Sequence, residues 1–138
     1  MLEKIEKKII TDFSLFPSWE EKYEYIIELG KELAPLKQVY KSEKHLIKGC
    51  QSRVWLVCKY NKPKLYFFGD SDALITKGIV ALVIKLYSQS SPQEIINNDM
   101  GVFSKIGLNE HLSMTRSNGL NSMLKVIKNY ALKYYKNE

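Results

Sequence analysis

In Val54-Trp55-Leu56-Val57-Cys58-Lys59-Tyr60-Asn61-Lys62-Pro63-Lys64-Leu65-Tyr66-Phe67-Phe68 the hydrophobic period is two. Val54, Leu56, Cys58 and Tyr60 alternate with Arg53, Trp55, Val57 and Lys59, which predicts a strand with one apolar face. Asn61-Lys62-Pro63 is a turn, and Leu65–Phe68 is a second strand ended by Gly69, so the pair forms an antiparallel hairpin. A short third strand is expected at Leu46-Ile47.

On both sides of this hairpin the period returns to helical. Ile5, Ile9 and Phe13 share one face of a helix over residues 3–13. Ser18-Trp19-Glu20-Glu21 is a capping box, and the helix it opens aligns Tyr23, Ile26, Ile27, Gly30 and Leu33 before Pro35. After the hairpin, Asp70-Ser71-Asp72 supplies N-cap candidates for a helix through Gly78 to Tyr87. That helix is apolar nearly all round, as a central buried helix would be. Ser91-Pro92-Gln93-Glu94 is a second capping box with proline at the first helical position. A short helix and another through Val102-Phe103 follow. Leu108 to Arg116 reads as irregular, and a last helix from about Ser117 aligns Leu120, Met123, Leu124, Ile127, Ala131 and Tyr134. The fold class is α+β: a small antiparallel sheet of about three strands with helices packed on one face, in a single domain over residues 1–138.

Composition narrows the function. The chain has 138 residues, 45% hydrophobic and 26% charged, as in ordinary globular domains. No apolar run approaches the roughly 20 residues a membrane span needs. Met1-Leu2-Glu3-Lys4 has neither signal- nor transit-peptide character. A cytoplasmic protein without membrane partners is expected. The net charge of +6 comes from lysines scattered along helices, so a solvated surface rather than nucleic-acid binding is expected. Two cysteines and two histidines do not complete a zinc pattern, and a reducing compartment argues against a disulfide.

The two cysteines differ in setting. Cys58 lies inside a strand and reads as core. Cys50 lies in Gly49-Cys50-Gln51-Ser52-Arg53, a polar break between apolar runs. Gly49 permits a positive φ or a close backbone approach. Gln51, Ser52 and Arg53 offer donors, and a neighbouring cation such as Arg53 would favour a thiolate. His45 reads as a polar-run residue rather than a base. Asp70 and Asp72 suit a helix start better than a phosphate site.

Gly49-Cys50-Gln51-Ser52-Arg53-Val54-Trp55 resembles the signature of the SufE family, sulfur-accepting accessory proteins of iron–sulfur cluster assembly. Trp19-Glu20-Glu21-Lys22-Tyr23 with Leu29-Gly30, Gly69-Asp70-Ser71-Asp72-Ala73 with Lys77-Gly78, and His111-Leu112-Ser113 with Arg116-Ser117-Asn118-Gly119-Leu120 resemble three further blocks. All stand in the family's order over roughly residues 15–130. Met114 departs from the family, which usually has proline there.

The resemblance implies a SufE/IscU-like fold and a cysteine persulfide on Cys50. The sulfur would come from a SufS-type cysteine desulfurase, which the protein would stimulate, and would go to a SufBCD-type scaffold. Pyridoxal phosphate would belong to the desulfurase, so this chain is expected to bind no cofactor and no metal. It is expected to have no independent turnover without that partner, and a homodimer is left open. Gly49, Gln51, Ser52, Arg53, Asp72, His111 and Arg116 would line the Cys50 loop or face the partner, with Gly49 as hinge. Two other classes compete. An IscU-type cluster scaffold needs about three or four close ligands, more than this chain offers near Cys50. A Cys-His hydrolase needs His45 or His111 beside the thiol.

Overall fold

The computed structural model describes residues 2–136. Two helices come first: α1 (Leu2–Ser14) and α2 (Trp19–Lys31). The hairpin follows as β1 (Val54–Asn61) and β2 (Lys64–Ser71). Five helices complete the chain: α3 (Leu74–Tyr87), α4 (Pro92–Asn97), α5 (Val102–Lys105), α6 (Leu108–His111) and α7 (Met114–Lys136). Between α2 and β1, residues 38–40 and 43–45 each form one turn of 3₁₀ helix.

The sheet has two strands in antiparallel register, with Val54 opposite Ser71 and Tyr60 opposite Leu65. The expected third strand is reduced to a single bridge between Leu46 and Trp55. Only two residues precede the Lys48–Arg53 loop, too few to continue a ladder. One sheet face carries Val54, Leu56, Cys58 and Tyr60, with Leu65, Phe67, Gly69 and Ser71 across the register. It packs on α3 and α7. A Cβ on Gly69 would meet Val80 and Ile84, and the Tyr60 ring lies 4.9 Å from that of Tyr134. The helices are therefore on one face, as the alternation required. The connection from α2 crosses the other face, where Lys41 lies over the Trp55 ring.

α3 is the central helix, with nine residues from Thr76 to Tyr87 buried. Its crossing with α2 is close enough that a side chain on Gly78 would run into the Ile26 backbone, and one on Gly30 into the Gly78 backbone. Two glycines facing each other are what let these helices touch main chain to main chain.

The caps fall partly where expected. Ser91 and Glu94 form the full reciprocal box with Pro92 at the first position. Ser18 accepts from the Glu21 N–H, 3.2 Å. Asp70, Ser71 and Asp72 do not cap α3: β2 runs on to Ser71, and the N-cap position is Ala73, with no side-chain cap. The polar triplet is used by the sheet and the neighbouring loop. α7 begins at Met114 rather than Ser117, because the Ser113 hydroxyl accepts from the Arg116 N–H at 3.3 Å. Met114 thus occupies the first helical position, where proline and methionine both fit. The span read as irregular contains the short α6. At the far end of α4, the Lys128 ammonium donates to the carbonyls of Ile95, Ile96 and Asn98 at 3.3, 3.1 and 2.9 Å. This ties α7 to a helix C-terminus, where a cation is favourable. No helix among the described residues is long and apolar enough to cross a membrane.

Candidate functional site

The loop that carries Cys50 is closed at its base by backbone bonds. The Ile47 N–H donates to the Val54 carbonyl at 2.8 Å. On the other side the Arg53 N–H donates to Asp72 Oδ1 at 3.0 Å, and the Arg53 carbonyl accepts from Ser71 Oγ at 2.8 Å and from the Asp72 N–H at 3.3 Å. Asp72 therefore anchors the loop instead of capping a helix.

Within the loop, Gly49 has φ +91°, a conformation L side chains rarely adopt. A Cβ there would also lie 2.7 Å from Ser122 Oγ on α7. The turn at Gly49 brings Cys50 down onto α7, with its thiol donating to the Gly119 carbonyl at 3.7 Å. Gly119 is buried, and a Cβ on it would stand 3.3 Å from the sulfur. The absent side chain makes the seat for the thiol.

Beside the sulfur is a cavity of about 180 Å³. Its polar wall comes from Ser52, Thr76, Ser113, Thr115 and Arg116, and its apolar wall from Ile79 and Met123. Cys50 itself is half-buried, and this burial raises its thiol above the ordinary value. The thiol is thus held protonated at neutral pH. Arg53, one candidate for a cation favouring the thiolate, is exposed and absent from the cavity wall. Chemically, the arrangement offers a shielded sulfur nucleophile with room for added atoms beside it. Hydroxyls and a guanidinium stand where a negative charge on such an atom would need donors.

The other sequence candidates separate. Gln51 and Ser52 line the cavity, and Arg116 reaches it from the first turn of α7. His111 does not line it. Its ring stacks on Trp19 at 4.0 Å, and its carbonyl accepts from the Tyr23 hydroxyl. His45 is edge-on to Tyr40 at 5.6 Å, with a buried Nδ1 that has no hydrogen-bond partner among the described residues. Neither histidine stands in the Cys50 cavity, so the hydrolase arrangement is not formed. Cys58 is half-buried, and burial pushes its thiol up to about 12. It is inert as a nucleophile at neutral pH. Among the described residues no group of three His, Cys, Asp or Glu side chains could hold a metal ion.

Sequence reasoning missed Thr76, Ser113, Thr115, Gly119, Ser122 and Met123 as site residues. One signal was available. Gly119 lies inside a helical pattern, where glycine costs about 1 kcal/mol relative to alanine, and such a cost needs a packing reason.

The fold has a known counterpart. A hypothetical protein from Thermus thermophilus, known from a solution structure, superposes with a TM-score of 0.80 over 96% of each chain at 18% identity. That likeness concerns the fold alone. The sequence itself matches the family model SufE, described as an Fe-S metabolism associated domain, over residues 7–131. With nearly the whole chain inside that match and the Cys50 loop seated on α7, this protein belongs to the SufE family and has a role in Fe–S metabolism.

Proposed function

We propose that the protein is a sulfur acceptor and carrier, with Cys50 as the residue that holds the sulfur. The observation that carries this reading is the seating of a half-buried Cys50 thiol over Gly119 beside an adjoining polar cavity. A donor enzyme, a cysteine desulfurase of the SufS type, presents a persulfide on its own cysteine. Docking draws the loop outward about Gly49, the Cys50 thiol loses its proton, and the thiolate attacks the outer sulfur. The sulfur–sulfur bond of the donor breaks, and its electron pair leaves with the donor cysteine as a thiolate. Cys50 then bears the persulfide. On return, the cavity shelters the outer sulfur beside Thr76, Ser113, Thr115 and Arg116 until a cluster-assembly scaffold of the SufBCD type receives it.

The chain binds no cofactor of its own in this scheme; pyridoxal phosphate acts on the desulfurase. The second cysteine supports the scheme, since a thiol raised to about 12 does not compete for the sulfur. The lack of a metal-holding cluster among the described residues supports a carrier over a cluster scaffold. Alanine release by a SufS-type desulfurase tests the reading. Wild type is expected to raise the turnover and Cys50→Ser to abolish the stimulation, while Cys58→Ser retains it. Equal stimulation by Cys50→Ser would overturn it.

A further inference from the structure

A second concavity, larger than the first, lies at the outer edge of β2. It is a groove of about 740 Å³ bounded by the end of α2 and the following connection, by Lys59 of β1, by β2 and by α3. It shares no residue with the Cys50 cavity. α3 stands between them, with Thr76 and Ile79 lining one site and Ala81, Ile84 and Lys85 the other.

The floor is apolar: Leu29, Leu33, Leu36, Phe67, Phe68 and Ile84. Phe68 is 43% exposed, an unusual position for phenylalanine. The rim is basic. Lys37, Lys59 and Lys85 stand on it, against a single carboxylate, Glu32. Among the described residues none of these three lysines is in an ion pair. The Lys59 ammonium lies instead over the rings of Tyr40, 5.2 Å, and Phe68, 5.7 Å. Its hydrogen bond and charge lower the Tyr40 phenol from its ordinary value.

The backbone adds a donor. At Leu65 the outer edge of β2 is closed by Gln89 and Ser90, and at Phe67 by Ser88 Oγ. The register turns the Gly69 N–H the same way, onto the groove, and the closing segment does not reach it. An apolar floor of this volume with a few converging polar groups is the form of a small-molecule site.

We propose that this groove binds a small amphipathic organic anion, with an aliphatic or flat apolar body on the Phe67–Phe68 floor and an acidic head among Lys37, Lys59 and Lys85. The inference does not depend on sulfur transfer and concerns a different face of the molecule. Charge complementarity selects the anion: three lysines outside any ion pair among the described residues would repel a cationic ligand, and a neutral one would leave them unmatched.

Calorimetric titration of the full chain with decanoate and with decanol tests this. Decanoate is expected to bind one to one, about tenfold more tightly than decanol. Lys37→Gln, Lys59→Gln and Lys85→Gln should each weaken decanoate about threefold, as semi-exposed charge contacts do, and leave decanol unchanged. Ala81→Trp, which fills the groove, should remove both. Since Ala81 is buried and that variant can fail to fold, Phe68→Glu, at an exposed position, is the second test and should repel decanoate while keeping the native circular dichroism. Cys50→Ser should bind like wild type. Absence of decanoate binding, or binding indifferent to the lysines and to Phe68→Glu, overturns the proposal. So does a concentration-dependent dimer split by Phe68→Glu without decanoate binding, which would assign the groove to a second copy of the chain.

Discussion

Cys50 is protected in two senses. Burial over Gly119 limits access to the sulfur, and the same burial keeps it protonated. A resting carrier with a ready thiolate would lose its sulfur-accepting capacity to any oxidant. The sign of the shift gives a prediction. With the folded value raised, the iodoacetamide alkylation rate of the free protein should climb about tenfold per pH unit from pH 7 to beyond about 8.5, the ordinary thiol value, without levelling there. A plateau already near pH 8 would show that the thiolate forms easily and that the seat on α7 does not govern reactivity. The Gly-Cys pair was legible in the sequence because polar turns between apolar runs are rare in this chain. The seat was not, because nothing local links Cys50 to Gly119, 69 residues away.

At the level of elements, the Cys50 loop is a short span stapled at its base, and Asp72 is one staple. Its carboxylate accepts from the Arg53 N–H, so Asp72→Ala leaves that donor without its partner. The expected cost is about 1 kcal/mol of stability, with faster alkylation of Cys50 as the loop loosens. Asp72→Asn, which keeps an acceptor oxygen, should restore most of both; denaturant melts and labelling rates measure the two effects. If Asp72→Ala alters neither, the loop is held elsewhere. The sequence pointed to a different job for this residue. An Asp-Ser-Asp run before an apolar helix fits a cap on local grounds, and only the pairing of Arg53 with Asp72 across the hairpin reassigns it. Likewise Leu46-Ile47 has strand composition but makes one bridge, since the site loop interrupts it. The hairpin itself, and the helices with strong 3.6-residue periods, were legible because burial on one face writes the period into the sequence.

Across the whole molecule, α3 and α7 link sheet, site and groove. α3 contributes to both concavities, and α7 carries the Gly119 seat, the Arg116 guanidinium and the Lys128 tie to α4. The sheet's inner face brings Cys58 against this framework, and its raised thiol makes global stability depend on pH. An acid raised in the folded state contributes stability that is complete below the unfolded value, about 8.5, and is lost as pH rises towards about 12. The thermal midpoint should therefore fall above pH 8.5, and Cys58→Val should fall less steeply over the same range. Parallel declines would remove Cys58 from the account. The α+β class followed from the order of periods along the chain, whereas the 740 Å³ groove had no sequence signature, being assembled from four separate segments.

Intact-mass spectrometry after incubation with a SufS-type desulfurase and cysteine tests the carrier role most directly. The account predicts a gain of one sulfur atom that is removed by reductant, absent in Cys50→Ser and retained in Cys58→Ser. No gain in the wild-type protein, or a gain that survives Cys50→Ser, would contradict it.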